Sequence, residues 1–118
     1  MPGVRTLCVQ LQPRRAAGLR PQTVTALMSR VATAAPELQS FSFERGNDRG
    51  PYINYCFSGR ALGRIWARLQ KQALAHPRIG SGLRRAVIVT CEGSRGWKNY
   101  LLLHHFDNAR TLDTLSGI

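Results

Sequence analysis

Apolar and polar residues alternate along VRTLCVQL (4–11). Leu7, Val9 and Leu11 fall on one face and Thr6, Cys8 and Gln10 on the other, the period-two pattern of a half-buried strand. A basic connection, QPRRAAGLRP, follows. Pro21 suits the first turn of a helix. Val24, Leu27, Met28, Val31 and Ala35 then recur on one helical face until Pro36 stops the pattern. Alternation returns over LQSFSFER (38–45), with Phe41 and Phe43 on one side. GNDRGP (46–51) is a turn cluster, and YINYCF (52–57) is an aromatic-rich strand that completes a hairpin. The period changes again in SGRALGRIWARLQKQALAHP (58–77). There Leu62, Ile65, Trp66, Leu69 and Ala73 share one side of a helix expected from about 59 to 75, with Ser58 as N-cap and Pro77 as its limit. RIGSGL reads as a loop. RAVIVTCE (85–92) is nearly continuously apolar, as in a central strand covered on both faces. GSRGW turns the chain into a fifth strand, KNYLLLHHF (98–106), and the polar tail from Asp107 is expected to fray.

The predicted order is β-α-β-β-α-β-β in a single α+β domain spanning residues 1–118. Its first six elements fit the ferredoxin-like split βαβ pattern, βαββαβ. Right-handed crossovers then put two helices on one face of an antiparallel sheet. The expectation is a two-layer sandwich with an additional C-terminal strand at an edge. No window approaches 18 apolar residues, so no membrane span is expected.

Charge changes the picture. The formal net charge is +11, and 15 of the 17 basic residues are arginine. Arginine suits bidentate contacts to phosphate or carboxylate. A GC-rich genome would also favour it over lysine, but would not explain why acids are scarce. Residues 1–36 hold five arginines and no acid; residues 59–90 carry seven positive charges and no acid. An Arg-rich, acid-free start is also the composition of a mitochondrial transit peptide, but the strand pattern at 4–11 assigns this segment to the fold. The start lacks the apolar stretch of a secretory signal. Three widely spaced cysteines do not make a secreted disulfide framework, so a reducing cytoplasm is the expected compartment.

The richest candidate surface is the second helix. At 100° per residue, Arg60, Arg64, Arg68 and Lys71 fall within about 80° of arc, opposite the apolar side. Like charges at this spacing cost roughly 0.2–0.5 kcal/mol per pair, so the stripe is expected to cost about 1 kcal/mol with no acid to relieve it. Arg78, Arg84 and Arg85 follow and are candidates to extend it.

Other chemistry is weaker in the sequence. The βαββαβ order and the charge invite comparison with the RNA-recognition motif, which stacks bases on aromatics of its first and third strands. Here Pro51 stands at an aromatic position, Tyr52 stands where Gly or Ala is expected, and TLCVQL has no aromatic, so that family is not assigned. Tyr52 and Tyr100 are the candidates for base stacking. Cys8, Cys56 and Cys91 each fall on a strand able to be central, but no close pair such as C-x-x-C suggests a metal site. Cys91 with His104 or His105 is a geometrically possible nucleophile pair, without an identifiable third group to orient the histidine. RIGSGLRR matches no phosphate-loop fingerprint. No catalytic residue, metal or cofactor is therefore expected. The sequence favours a small binding protein that engages nucleic acid backbone, DNA or RNA, through the basic helix. The alternative is an acidic protein as partner, for an inhibitor, an immunity-type protein or a subunit of an assembly.

Overall fold

A computed structural model describes residues 3–115. The elements are β1 (Arg5–Leu11), a 3-10 turn (Pro13–Arg15), α1 (Pro21–Thr33), β2 (Leu38–Asn47), β3 (Pro51–Gly59), α2 (Leu62–Leu69), a π turn (Gln70–Leu74), α3 (Gly80–Ala86), β4 (Val87–Gly93) and β5 (Gly96–His104). The protein is α+β. Its five strands form one sheet in the order β2-β3-β1-β4-β5, with every neighbouring pair antiparallel.

Burial follows the alternation read from the sequence in β1 but not in β2, which has no buried residue; β3 and β4 alternate as well. Leu7, Val9 and Leu11 of β1 are buried, as are Ile53, Tyr55 and Phe57 of β3 and Val87, Val89 and Cys91 of β4. They form one core with Val24, Leu27, Met28 and Val31 of α1 and with Leu62, Ile65, Trp66 and Leu69 of α2. Each of the larger side chains stabilises the fold by roughly 1.5–3 kcal/mol. The buried Tyr55 keeps a partner for its hydroxyl in Thr25 of α1, at 2.7 Å. The alternate residues Thr6, Cys8, Gln10, Asn54, Cys56 and Ser58 lie on the other face and are only half-buried.

Four expectations need correction. RAVIVTCE is not covered on both faces: residues 85 and 86 end a helix, and β4 alternates between buried and half-buried positions. RIGSGL is not a loop, because most of it belongs to α3, whose Leu83 and Ala86 enter the core. The second helix begins at Leu62 rather than 59, because Ser58 and Gly59 are still paired in β3. Ser58 caps nothing; its hydroxyl is 2.8 Å from that of Thr6 across the sheet. The expected fraying of the tail extends over residues 116–118, which lie outside the described residues; up to residue 115 the chain is tied back to β5 at Asp113. Leu102 N–H donates to the Asp113 carboxylate at 2.8 Å, and Asp113 N–H donates to the Leu102 carbonyl at 2.7 Å.

Candidate functional site

The geometry of the basic helix starts with its buried side. Leu62, Ile65, Trp66 and Leu69 face the core, so Arg64 is turned outward and exposed. Arg60 is exposed too, but it lies on the bend between β3 and α2, two residues before the helix begins. Lys71 is exposed in the π turn, where Ala75 N–H donates to the Gln70 carbonyl at 2.9 Å. The wider turn directs the consecutive residues Ala73 and Leu74 into the core. The bases thus follow one chain segment from the bend at residue 60, along the helix, to the π turn.

Arg68 does not belong to an unpaired stripe. Its Nε donates to Glu37 Oε1 at 2.5 Å, the single ion pair among the described residues. Glu37 lies just ahead of β2, and the fold brings it beside a helix 31 residues further on. The Arg68 hydrogen bond holds the Glu37 carboxyl below its ordinary pKa, and the charge of Arg64 adds to the effect. The like-charge penalty expected of the stripe is therefore largely absent: one member precedes the helix and another is neutralised.

Of the following bases, Arg84 is anchored. Its guanidinium donates to the Leu74 carbonyl, closing the C-terminal end of the π turn and tying α3 to it. Arg78 and Arg85 are exposed. Arg84 and Arg85 lie in the last turn of α3, at the end of the sheet where Val87 pairs with Leu11. Arg60 is at the other end, next to Gly59, which pairs with Arg5.

The cysteines separate by face. Cys8 and Cys56 are directly paired across β1 and β3, with their sulfurs 3.2 Å apart on the half-buried face. Burial, reinforced by the shared hydrogen bond with Cys56, pushes the Cys8 thiol up to about 12. Cys91 points into the core on the opposite face, so the three cannot converge on one ion. Burial also raises the Cys91 pKa. No hydrogen bond among the described residues links Cys91 to a histidine. His104 Nε2 is 2.9 Å from the Arg84 carbonyl, and His105 Nδ1 accepts the Asp107 N–H at 2.9 Å.

A second basic region is absent from the sequence-derived set. Arg14 and Arg15 of the 3-10 turn and Arg49 of the β2–β3 turn line a polar cleft of about 350 Å³, together with Tyr52. In the sequence, Arg14 and Arg49 are 35 residues apart and each looks like an ordinary loop arginine. Pairing of β3 with β1 is what brings the two loops together. Tyr100, the other stacking candidate, is half exposed on β5. No helix among the described residues is long and apolar enough to cross a membrane. Comparisons with protein-family models, curated proteins and solved structures find no match for this chain.

Proposed function

We propose that this protein binds nucleic acid backbone through the outward side of α2 and its flanks. The supporting observation is the set Arg60, Arg64 and Lys71: all exposed, none within ion-pair distance of an acid, and all on a segment whose other side is locked into the core. The backbone beneath these charges is already held against the core, so only the side chains need ordering on binding, which removes part of the cost of association. Arg78 and Arg85 extend the contact at the C-terminal end, with Arg84 as the structural link. Recognition of this kind reads charge and spacing rather than base sequence. We also read the sheet order as that of a two-layer ferredoxin-like core with β5 and α3 added, and the cytoplasm as the place of action.

The test is a salt titration of binding to a short duplex and a single strand. Neutralising Arg60, Arg64 and Lys71 together removes up to three phosphate contacts, and the slope of log K against log salt should flatten by roughly 0.7–0.9 per lost contact. A wild-type chain that binds neither DNA nor RNA at about 50 mM salt rules the reading out. If an acidic protein partner copurifies stoichiometrically and nuclease treatment does not release it, the same surface serves protein recognition instead.

A further inference from the structure

We propose that the cleft between the 3-10 turn and the β2–β3 turn is a binding site for a phosphate monoester. None of its lining residues belongs to α2 or to the bases that flank it, so this reading does not depend on that surface. One wall carries Arg14 and Arg15, and the other carries Asp48 and Arg49. The volume of about 350 Å³ lies at the small end of the range for ligand pockets. The three guanidiniums and one carboxylate leave a net formal charge of +2 in the cleft.

The site is partly preorganised. Arg15 Nε donates to Gln12 Oε1 at 2.6 Å, and Gln12 Nε2 in turn donates to Gln10 Oε1 at 2.9 Å. The Arg15 guanidinium carbon lies 3.6 Å from the centre of the Phe106 ring, so the group is held from a second side. Arg14 reaches toward the opposite wall: its Nη1 is 3.9 Å from where a Cβ on Gly50 would stand. Positive charges from two separate loops are thus brought together with Asp48 as the one acid of the cleft and no ion pair to it, since the single ion pair of the described residues is elsewhere. A bound anion relieves that repulsion. Tyr52, which also lines the cleft, lies across Gly46 of the neighbouring strand, a placement any side chain at residue 46 would block.

The ligand class follows from charge and geometry. A phosphate monoester carries about −1.5 to −2 at pH 7 and three terminal oxygens, which match the charge and the planar forks of several arginines. A carboxylate supplies one charge and two oxygens, and an internal phosphodiester supplies one charge. Two sources share the monoester chemistry: a free mononucleotide and the 5′-phosphate end of a strand. In either case the Tyr52 ring can lie against the attached nucleoside.

Arg49 provides a variant that separates site from fold. It has φ 59°, in the left-handed region where a non-glycine residue is strained, so Arg49→Gly removes the guanidinium and relieves the backbone together. Calorimetric titration of the full chain at about 0.15 M salt, a physiological value, should show binding of adenosine 5′-monophosphate and none of adenosine. Arg14→Ala and Arg49→Gly should each weaken binding about tenfold or more, the loss expected for a charge-assisted hydrogen bond. Arg49→Gly should do so with an undiminished melting temperature. Affinity should also fall as pH drops through about 6, where the monoester gains its second proton. A variant altered at Arg60 and Arg64 should bind the nucleotide as wild type does, which keeps this result independent of the α2 surface. Tighter binding of a 5′-phosphorylated tetranucleotide than of the mononucleotide identifies the strand end as the ligand; the reverse identifies the small molecule. Equal binding of 5′-phosphorylated and 5′-hydroxyl strands with no binding of the mononucleotide overturns the proposal. So does equal heat from nucleotide and nucleoside, or wild-type affinity in both arginine variants.

Discussion

Glu37 couples the stability of the fold to the charge of its surface. As a carboxylate it accepts the Arg68 Nε–H at 2.5 Å and cancels one of the positive charges along α2. Glu37→Gln should therefore act with opposite signs on two measurements. It should cost about 1 kcal/mol in denaturant unfolding, as for a partly exposed ion pair, and it should tighten polyanion binding by releasing Arg68. A loss of both stability and binding would mean that Arg68 is needed where Glu37 holds it. The pH dependence has a definite direction. The folded pKa of Glu37 is lowered, so its contribution is complete above the ordinary carboxylate value of 4.5 and is lost as pH falls through the lowered one. Sequence inspection could not find this pair. Counting charges within residues 59–90 finds no acid, and the partner arrives from residue 37 through the packing of α2 on the sheet. The cysteines illustrate the same limit. Their strands were legible, but only the register shows Cys8 facing Cys56 and Cys91 turned to the other side.

At the scale of elements, the apolar pattern located every strand and the first two helices, though it misjudged how β4 is covered, and it missed α3, where glycine intervened. Two glycines within three residues argue for a loop, since each costs about 1 kcal/mol in a helix. The α3 helix forms regardless because it buries Leu83 and Ala86. Close packing requires the first glycine: a Cβ on residue 80 would come within 2.6 Å of the Leu74 carbonyl oxygen. The second has no such reason. A Cβ on residue 82 would meet Leu19 at 3.7 Å and Ala16 at 3.9 Å, ordinary contact distances. The two positions should therefore respond oppositely to alanine. Gly82→Ala should stabilise by about 0.5–1 kcal/mol through helix propensity and a stiffer unfolded chain. Gly80→Ala should destabilise by about 1–3 kcal/mol through overpacking against fixed backbone. Denaturant midpoints measured on both variants check the pair, and a loss at both positions would mean that α3 tolerates no added bulk. The boundaries of α2 were misread for a related reason: SGR resembles a helix start, but cross-strand pairing holds Ser58 and Gly59 in β3.

At the scale of the whole molecule, the sheet order places β2 and β5 at the two edges, and they are finished differently. β2 runs ten residues, Leu38–Asn47, and its Phe43 remains 45% exposed while packing on Tyr55. The outer side of β5 is clasped at Leu102 by the returning tail through Asp113. Open strand edges are where chains add to one another. Such a clasp is expected to limit the valence of the protein in any association through its sheet. With one open edge, a molecule can join a single neighbour through its sheet and the association stops at a pair. With both edges open, each addition leaves another edge to extend, and growth has no natural end. Removing residues 107–118 should convert a chain no larger than a dimer in sedimentation velocity into one whose mean mass climbs with concentration. An unchanged distribution after truncation would show that β5 resists pairing by itself. If the mass does climb, the two hydrogen bonds at Asp113 are the difference between a protein that pairs and one that polymerises.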